Sequence, residues 1–160
     1  AAAGADFGLL ASNTPHLVFD EIERQSPLPL VSIVQAACDE AKTRGLKRLG
    51  LFGTRFTMQG RAYPDVFSKE GIVLVVPDPG EQSYIHDKYL GELAKGIFLD
   101  ETRRRLLAIA DALRERDGID GLILGGTELP LILKEPAYQG IPFLDTTRIH
   151  VDAAVARLLG

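Results

Sequence analysis

Ile119-Asp120-Gly121-Leu122-Ile123-Leu124-Gly125-Gly126-Thr127-Glu128-Leu129-Pro130 is the stretch whose reading decides the fold. An apolar run closed by two glycines describes a buried strand that leaves its sheet into a loop rich in hydroxyl and backbone N–H donors. The chain makes the same move earlier, where Phe7-Gly8-Leu9-Leu10-Ala11 feeds Ser12-Asn13-Thr14-Pro15-His16. Open α/β sheets place their ligands at strand carboxyl ends, so both loops fall where a site is expected. Two loops of one kind suggest one site between two related halves.

Outward from these loops, strand and helix alternate with little interruption. Residues 15–24 are expected to be helical, with Thr14 as N-cap and Pro15 at the first helical position. Ser26-Pro27-Leu28-Pro29 breaks the chain, and Leu30-Val31-Ser32 crosses into a helix over 33–44 that Gly45 ends. Residues 47–52 form the next buried strand, and Gly53-Thr54 leads into a helix over 57–69. A strand over 72–76 stops at Pro77, helices follow over 81–95 and 100–116, and the strand of the opening quotation spans 119–124. A short helix over 128–133, a strand over 142–144 and a last helix over 146–158 complete the chain. Strands joined by helices of this length need crossover connections, which gives a mainly parallel sheet between two helical layers, an α/β three-layer sandwich.

Composition is consistent with this and excludes several function classes. The 160 residues are 46% hydrophobic and 25% charged with a net charge of −4, the balance of an ordinary globular domain. A nucleic-acid partner would need a basic face, and the only Arg cluster, Arg103-Arg104-Arg105, lies in an amphipathic helical pattern as a solvated face. No apolar run approaches the roughly 18 residues that a membrane span requires, and no signal-peptide layout is present, so a cytoplasmic location without membrane contact is the expectation. The single cysteine, Cys38, excludes an internal disulfide; its neighbours Val34, Ala37 and Ala41 at helical spacing make it a small core residue. Three scattered histidines offer no metal-ligand spacing. Gly53-Thr54, Gly80 and the run from Gly121 to Gly126 form neither of the familiar phosphate-binding loops, so no cofactor is indicated.

The loops at Ser12-Asn13-Thr14 and Gly125-Gly126-Thr127-Glu128 resemble those of the cofactor-independent aspartate/glutamate racemase family, whose catalytic loops read Cys-Asn-Thr and Gly-Cys-Thr-Glu. The resemblance extends to Leu51-Phe52-Gly53-Thr54-Arg55-Phe56-Thr57-Met58 and to Asp145-Thr146-Thr147-Arg148-Ile149-His150. It implies two pseudo-symmetric α/β halves facing each other across a cleft, with a small carboxylate or amino acid as substrate and a homodimer as the assembly. Residues 1–33 and 139–160 then belong to the first half, and 34–138 form a complete second half. The chain opens on Ala1-Ala2-Ala3-Gly4-Ala5-Asp6, the wording of a helix end running into a strand. The first half is therefore expected to be incomplete in this chain, which would leave apolar surface and strand edges that favour self-association.

Carried over residue by residue, the resemblance places Ser12 and Gly126 at the two catalytic cysteine positions. Asn13 and Thr14 fall on the positions that bind the substrate α-carboxylate, Thr54 can reach the same carboxylate, and Thr127 and Glu128 repeat the arrangement on the other side. A racemase of this type needs a base on each face of the α-carbon, and a thiol with a pKa near 8.5 is within reach of that role. A serine hydroxyl needs a neighbouring base, and glycine offers nothing, so a two-thiol mechanism cannot operate here. Gly126 is expected to enlarge the site, with Glu128 or a water supplying what a thiol would. His16 is expected to act as a supporting hydrogen-bonding group, His150 to cap or pack near the cleft, and His86 to lie on the surface. Three functions remain open: an amino-acid racemase, a binding homologue that has lost its bases, and a related decarboxylase or cis–trans isomerase.

Overall fold

The computed structural model describes residues 1–160. Two sheets are present. The smaller pairs β1 (Gly8–Leu9) with β2 (Leu30–Val31) in parallel. The larger contains β3 (Arg48–Gly53), β4 (Val73–Val75), β5 (Gly121–Gly125), β6 (Ala137–Tyr138) and β7 (Ile141–Asp145) in the order β4-β3-β5-β7-β6. All its pairings are parallel except β6–β7, a hairpin turned by Gln139 and Gly140 at φ 47° and 83°. Two successive residues with positive φ make the tight turn that suits a two-residue hairpin loop.

The helices are α1 (Phe19–Gln25), α2 (Ile33–Thr43), α3 (Arg55–Gln59), α4 (Ala62–Phe67), α5 (Pro79–Gly91), α6 (Asp100–Asp117), α7 (Leu129–Ile132) and α8 (Thr146–Leu159). Alternate residues of the central strands enter separate cores. Phe52, Leu122, Leu124 and Phe143 pack with the α5–α6–α7 side, while Leu49, Leu51, Ile123 and Leu144 pack with α2 and α4. The period of two along each strand therefore places a helical layer on each face, the three-layer sandwich expected. Asp120 fixes the start of this sheet, its carboxylate accepting the Lys47 and Arg48 N–H groups at 2.8 and 3.0 Å.

Several local expectations are corrected. Thr14 caps no helix: residues Thr14–Val18 form a 3₁₀ turn that leads into α1, and the Thr14 hydroxyl points to other threonines. The helix expected over 57–69 is broken at Gly60, whose backbone is extended (φ −77°, ψ 168°). A Cβ there would lie 2.5 Å from the Phe56 carbonyl oxygen and 2.3 Å from Leu17, so only glycine permits the break. Leu30 and Val31 are a strand rather than a bare crossing segment. Ile141–Asp145, grouped above with the first half, is hydrogen-bonded beside β5 in the larger sheet. Its helix α8 then packs across α2. No helix is long and apolar enough to cross a membrane.

Candidate functional site

Register brings the site residues together before any side chain is considered. Gly53 of β3 is paired with Gly125 of β5, and Leu124 with Asp145 of β7. Thr54, Gly126 and Thr146 thus stand one residue beyond paired positions on three adjacent strands, at one end of the sheet. The two glycines are there for contact rather than flexibility. A Cβ on Gly53 would lie 2.7 Å from the Gly125 carbonyl oxygen, and one on Gly125 would lie 2.7 Å from that of Phe52. Thr57 covers the pair, 2.9 Å from the Cβ position of Gly53 and 3.2 Å from that of Gly125.

On this platform sit three hydroxyls. Thr14 Oγ1 is 3.2 Å from Thr54 Oγ1 and 3.5 Å from Thr57 Oγ1, and Thr54 and Thr57 are 3.3 Å apart. Thr54 also caps α3, accepting the Thr57 N–H at 3.3 Å. Rotating hydroxyls both donate and accept, so a closed triangle can turn its donors outward to an arriving carboxylate. Thr57 was not foreseen; its signal lay in Thr54-x-x-Thr57, the spacing that returns a side chain over the cap.

Asn13 occupies the adjoining corner and is 3% exposed. Tyr63 Oη donates to its Oδ1 at 2.5 Å, its Nδ2 donates to Thr146 Oγ1 at 3.0 Å, and Thr146 donates onward to the Leu124 carbonyl at 2.8 Å. This chain of bonds ties the loop after β1 to the ends of β5 and β7. Burial holds the Tyr63 phenol well above its ordinary pKa, so it stays a donor.

Ser12 is half-buried, and His16 does not activate it. His16 Nδ1 meets the Ser12 carbonyl oxygen at 2.8 Å, and its Nε2 lies 3.1 Å from the Ile33 N–H. An N–H can only donate, so Nε2 accepts and Nδ1 carries the proton. Burial lowers the imidazole to about 4, His150 adding to the effect, and the ring stacks on Phe19. His16 is thus the supporting group expected. His150 donates to the Val31 carbonyl at 2.8 Å, since a carbonyl only accepts. His86 is not a surface residue as expected: half-buried, it accepts the Arg55 N–H at 3.2 Å and so satisfies the start of α3.

The second side differs most from expectation. The Thr127 hydroxyl donates to Glu128 Oε2 at 2.6 Å, and the same oxygen accepts the Tyr89 phenol. Gly126 does not open a void. A Cβ there would stand 2.7 Å from Tyr89 Oη, 2.5 Å from Cε2 and 2.9 Å from Cζ, so the ring of Tyr89 fills the place of a side chain at 126. Tyr89 is brought from α5, whose start is fixed by a reciprocal cap between Asp78 and Glu81. Burial, reinforced by the Glu128 carboxylate, pushes the phenol up to about 12. Nothing in the local sequence around Gly126 announces Tyr89, because the contact joins a helix and a strand end far apart in the chain.

The model of a sequence family described as Asp/Glu/hydantoin racemase matches residues 1–154. Among solved structures, an aspartate racemase homologue from Pyrococcus horikoshii OT3 is 33% identical with a TM-score of 0.86, covering 99% of this chain and 69% of that one. Picrophilus torridus aspartate racemase shares the fold at 22% identity and a TM-score of 0.71, covering 98% of this chain and 63% of that one. Glutamate racemase from Aquifex aeolicus (strain VF5) is 25% identical over 150 residues, 91% of this chain and 56% of the relative's length.

Proposed function

Because the chain belongs to the Asp/Glu/hydantoin racemase family, we propose that it carries the site of a cofactor-independent isomerase acting at the α-carbon of a small carboxylate-bearing amino acid of the aspartate or glutamate type. The observation that supports this most is the juxtaposition at one sheet end of the Thr14–Thr54–Thr57 hydroxyls and the Thr127–Glu128 pair, joined through Thr57 over Gly53 and Gly125. Hydroxyls turned outward hold the α-carboxylate, and that binding energy orients Cα toward a proton acceptor. Ser12 and Asn13 belong to the loop after β1, whose Thr14 joins the hydroxyl cluster. On this reading Glu128 is the acidic group at the Gly126 face, bonded to the Tyr89 phenol that covers it. The protein is taken as cytoplasmic and, from the family resemblance, as a homodimer.

A second reading is favoured by a specific observation. Ser12 has no activated base beside it, and the position of a second side chain is filled by Tyr89. A homologue that binds the same ligand without turnover, or one that runs decarboxylation or cis–trans isomerisation, fits those two facts. Proton NMR of the whole protein in D₂O with L- and D-aspartate, L- and D-glutamate and a panel of other amino acids separates the readings. Loss of the Cα proton signal, with the opposite enantiomer accumulating, is the expected result. Chemical-shift changes on binding with no exchange at Cα would establish the binding homologue instead.

A further inference from the structure

We propose that Tyr89 and Glu128 form a proton relay in which the phenol oxygen takes the α-proton of the substrate while passing its own proton to the Glu128 carboxylate. The inference rests on the proposed Cα chemistry and adds to it the identity of the proton-transfer group at the Gly126 face. Three observations carry it. Tyr89 Oη lies 2.7 Å from where a Cβ on Gly126 would be, at the end of β5 and beside the hydroxyl platform. Its hydroxyl proton is directed at Glu128 Oε2, so the path by which the phenol gives up its own proton is in place. The Thr127 hydroxyl donates to that same Oε2 at 2.6 Å, so the carboxylate is held in one orientation for a proton arriving from Tyr89.

The step balances without a further reactant. The Cα–H bond breaks and its electron pair stays on the substrate, delocalised into the α-carboxylate. A new O–H bond forms at Tyr89 Oη as the old one breaks, and the released proton ends on Glu128. The reverse sequence returns a proton to the same face, and exchange of the Glu128 carboxyl with solvent replaces it. Burial beside a carboxylate keeps the Tyr89 phenol protonated at neutral pH, which is the state from which the relay starts.

The test is solvent deuterium exchange at Cα, measured by NMR on the whole protein with each enantiomer of aspartate and glutamate, beside calorimetric binding of the same ligands. Tyr89→Phe keeps the ring over Gly126 and removes only the hydroxyl. It is expected to slow exchange at least about 100-fold, the lower range for a lost acid–base group, with ligand affinity within about threefold of the parent. Glu128→Gln is expected to slow exchange by a similar factor, again with ligand affinity within about threefold of the parent. Exchange in Tyr89→Phe within about threefold of the parent would overturn the relay while leaving the proposed reaction intact. Absence of exchange in the parent would overturn both, and affinity measured in the same samples shows whether binding survives.

Discussion

At the scale of single residues, His16 shows how a neutral imidazole holds a loop. Its two ring nitrogens join the Ser12 carbonyl to the Ile33 amide, and a proton on both would leave the Ile33 N–H facing another donor. Because folding lowers this pKa from 6.5 to about 4, the contribution is complete above the unfolded value and fades as pH falls from 6.5 through 4. Urea unfolding across that interval should therefore show a stability loss of up to one proton's slope that His16→Gln lacks. Equal slopes for the two proteins would mean that His16 ionises without opposing the fold. The pair Ser12-x-x-x-His16 was legible as a support because a histidine one turn beyond a strand exit can reach back to the loop. The place of Tyr89 was not legible, because a tyrosine on a helix of mixed faces is indistinguishable from a core residue until the fold sets it against a glycine.

At the scale of elements, strand positions were read well where the residues are apolar on both faces, as in β3 and β5, since burial on both sides erases alternation and leaves a continuous run. Boundaries slipped where one residue overrode periodicity. Gly60 split the helix after Thr54, and β6 escaped notice because two residues, Ala137 and Tyr138, leave no pattern to read. The loop after β1 is held less by its own short sheet than by Asn13, through Tyr63 and Thr146. Asn13→Ala strands the buried Tyr63 hydroxyl and should cost about 1–3 kcal/mol in denaturant unfolding. Tyr63→Phe removes the donor together with its need for a partner, so Asn13→Ala in the Tyr63→Phe background should cost measurably less. Additive costs would show that Asn13 acts through something other than this bond.

At the scale of the whole molecule, the parallel sheet with a helical layer on each side was legible from the order of elements, whereas membership of β7 in the larger sheet was not. The sequence places β7 at the end of the chain, and only pairing with β5 reveals its neighbour. Around α8 and the small sheet, Leu9, Val151, Val155 and Leu158 are exposed and, with Phe7 and Ile33, line a hollow of about 350 Å³. Contiguous apolar surface of this kind binds hydrophobic dyes. The 160-residue polypeptide should therefore enhance anilinonaphthalene sulfonate fluorescence, and the pair Val155→Lys and Leu158→Lys should remove most of that signal without lowering unfolding stability by more than about 1 kcal/mol. Unchanged dye binding in the double variant would place the dye elsewhere.

The fit of Tyr89 against Gly126 also constrains the history this site can have. A lineage that carries the ring cannot accept a side chain at position 126 unless the phenol moves away from Glu128. The two substitutions therefore have a preferred order: the aromatic residue on α5 must shrink before the glycine can be replaced. A single change at position 126 is therefore opposed by packing alone, whatever residue is introduced.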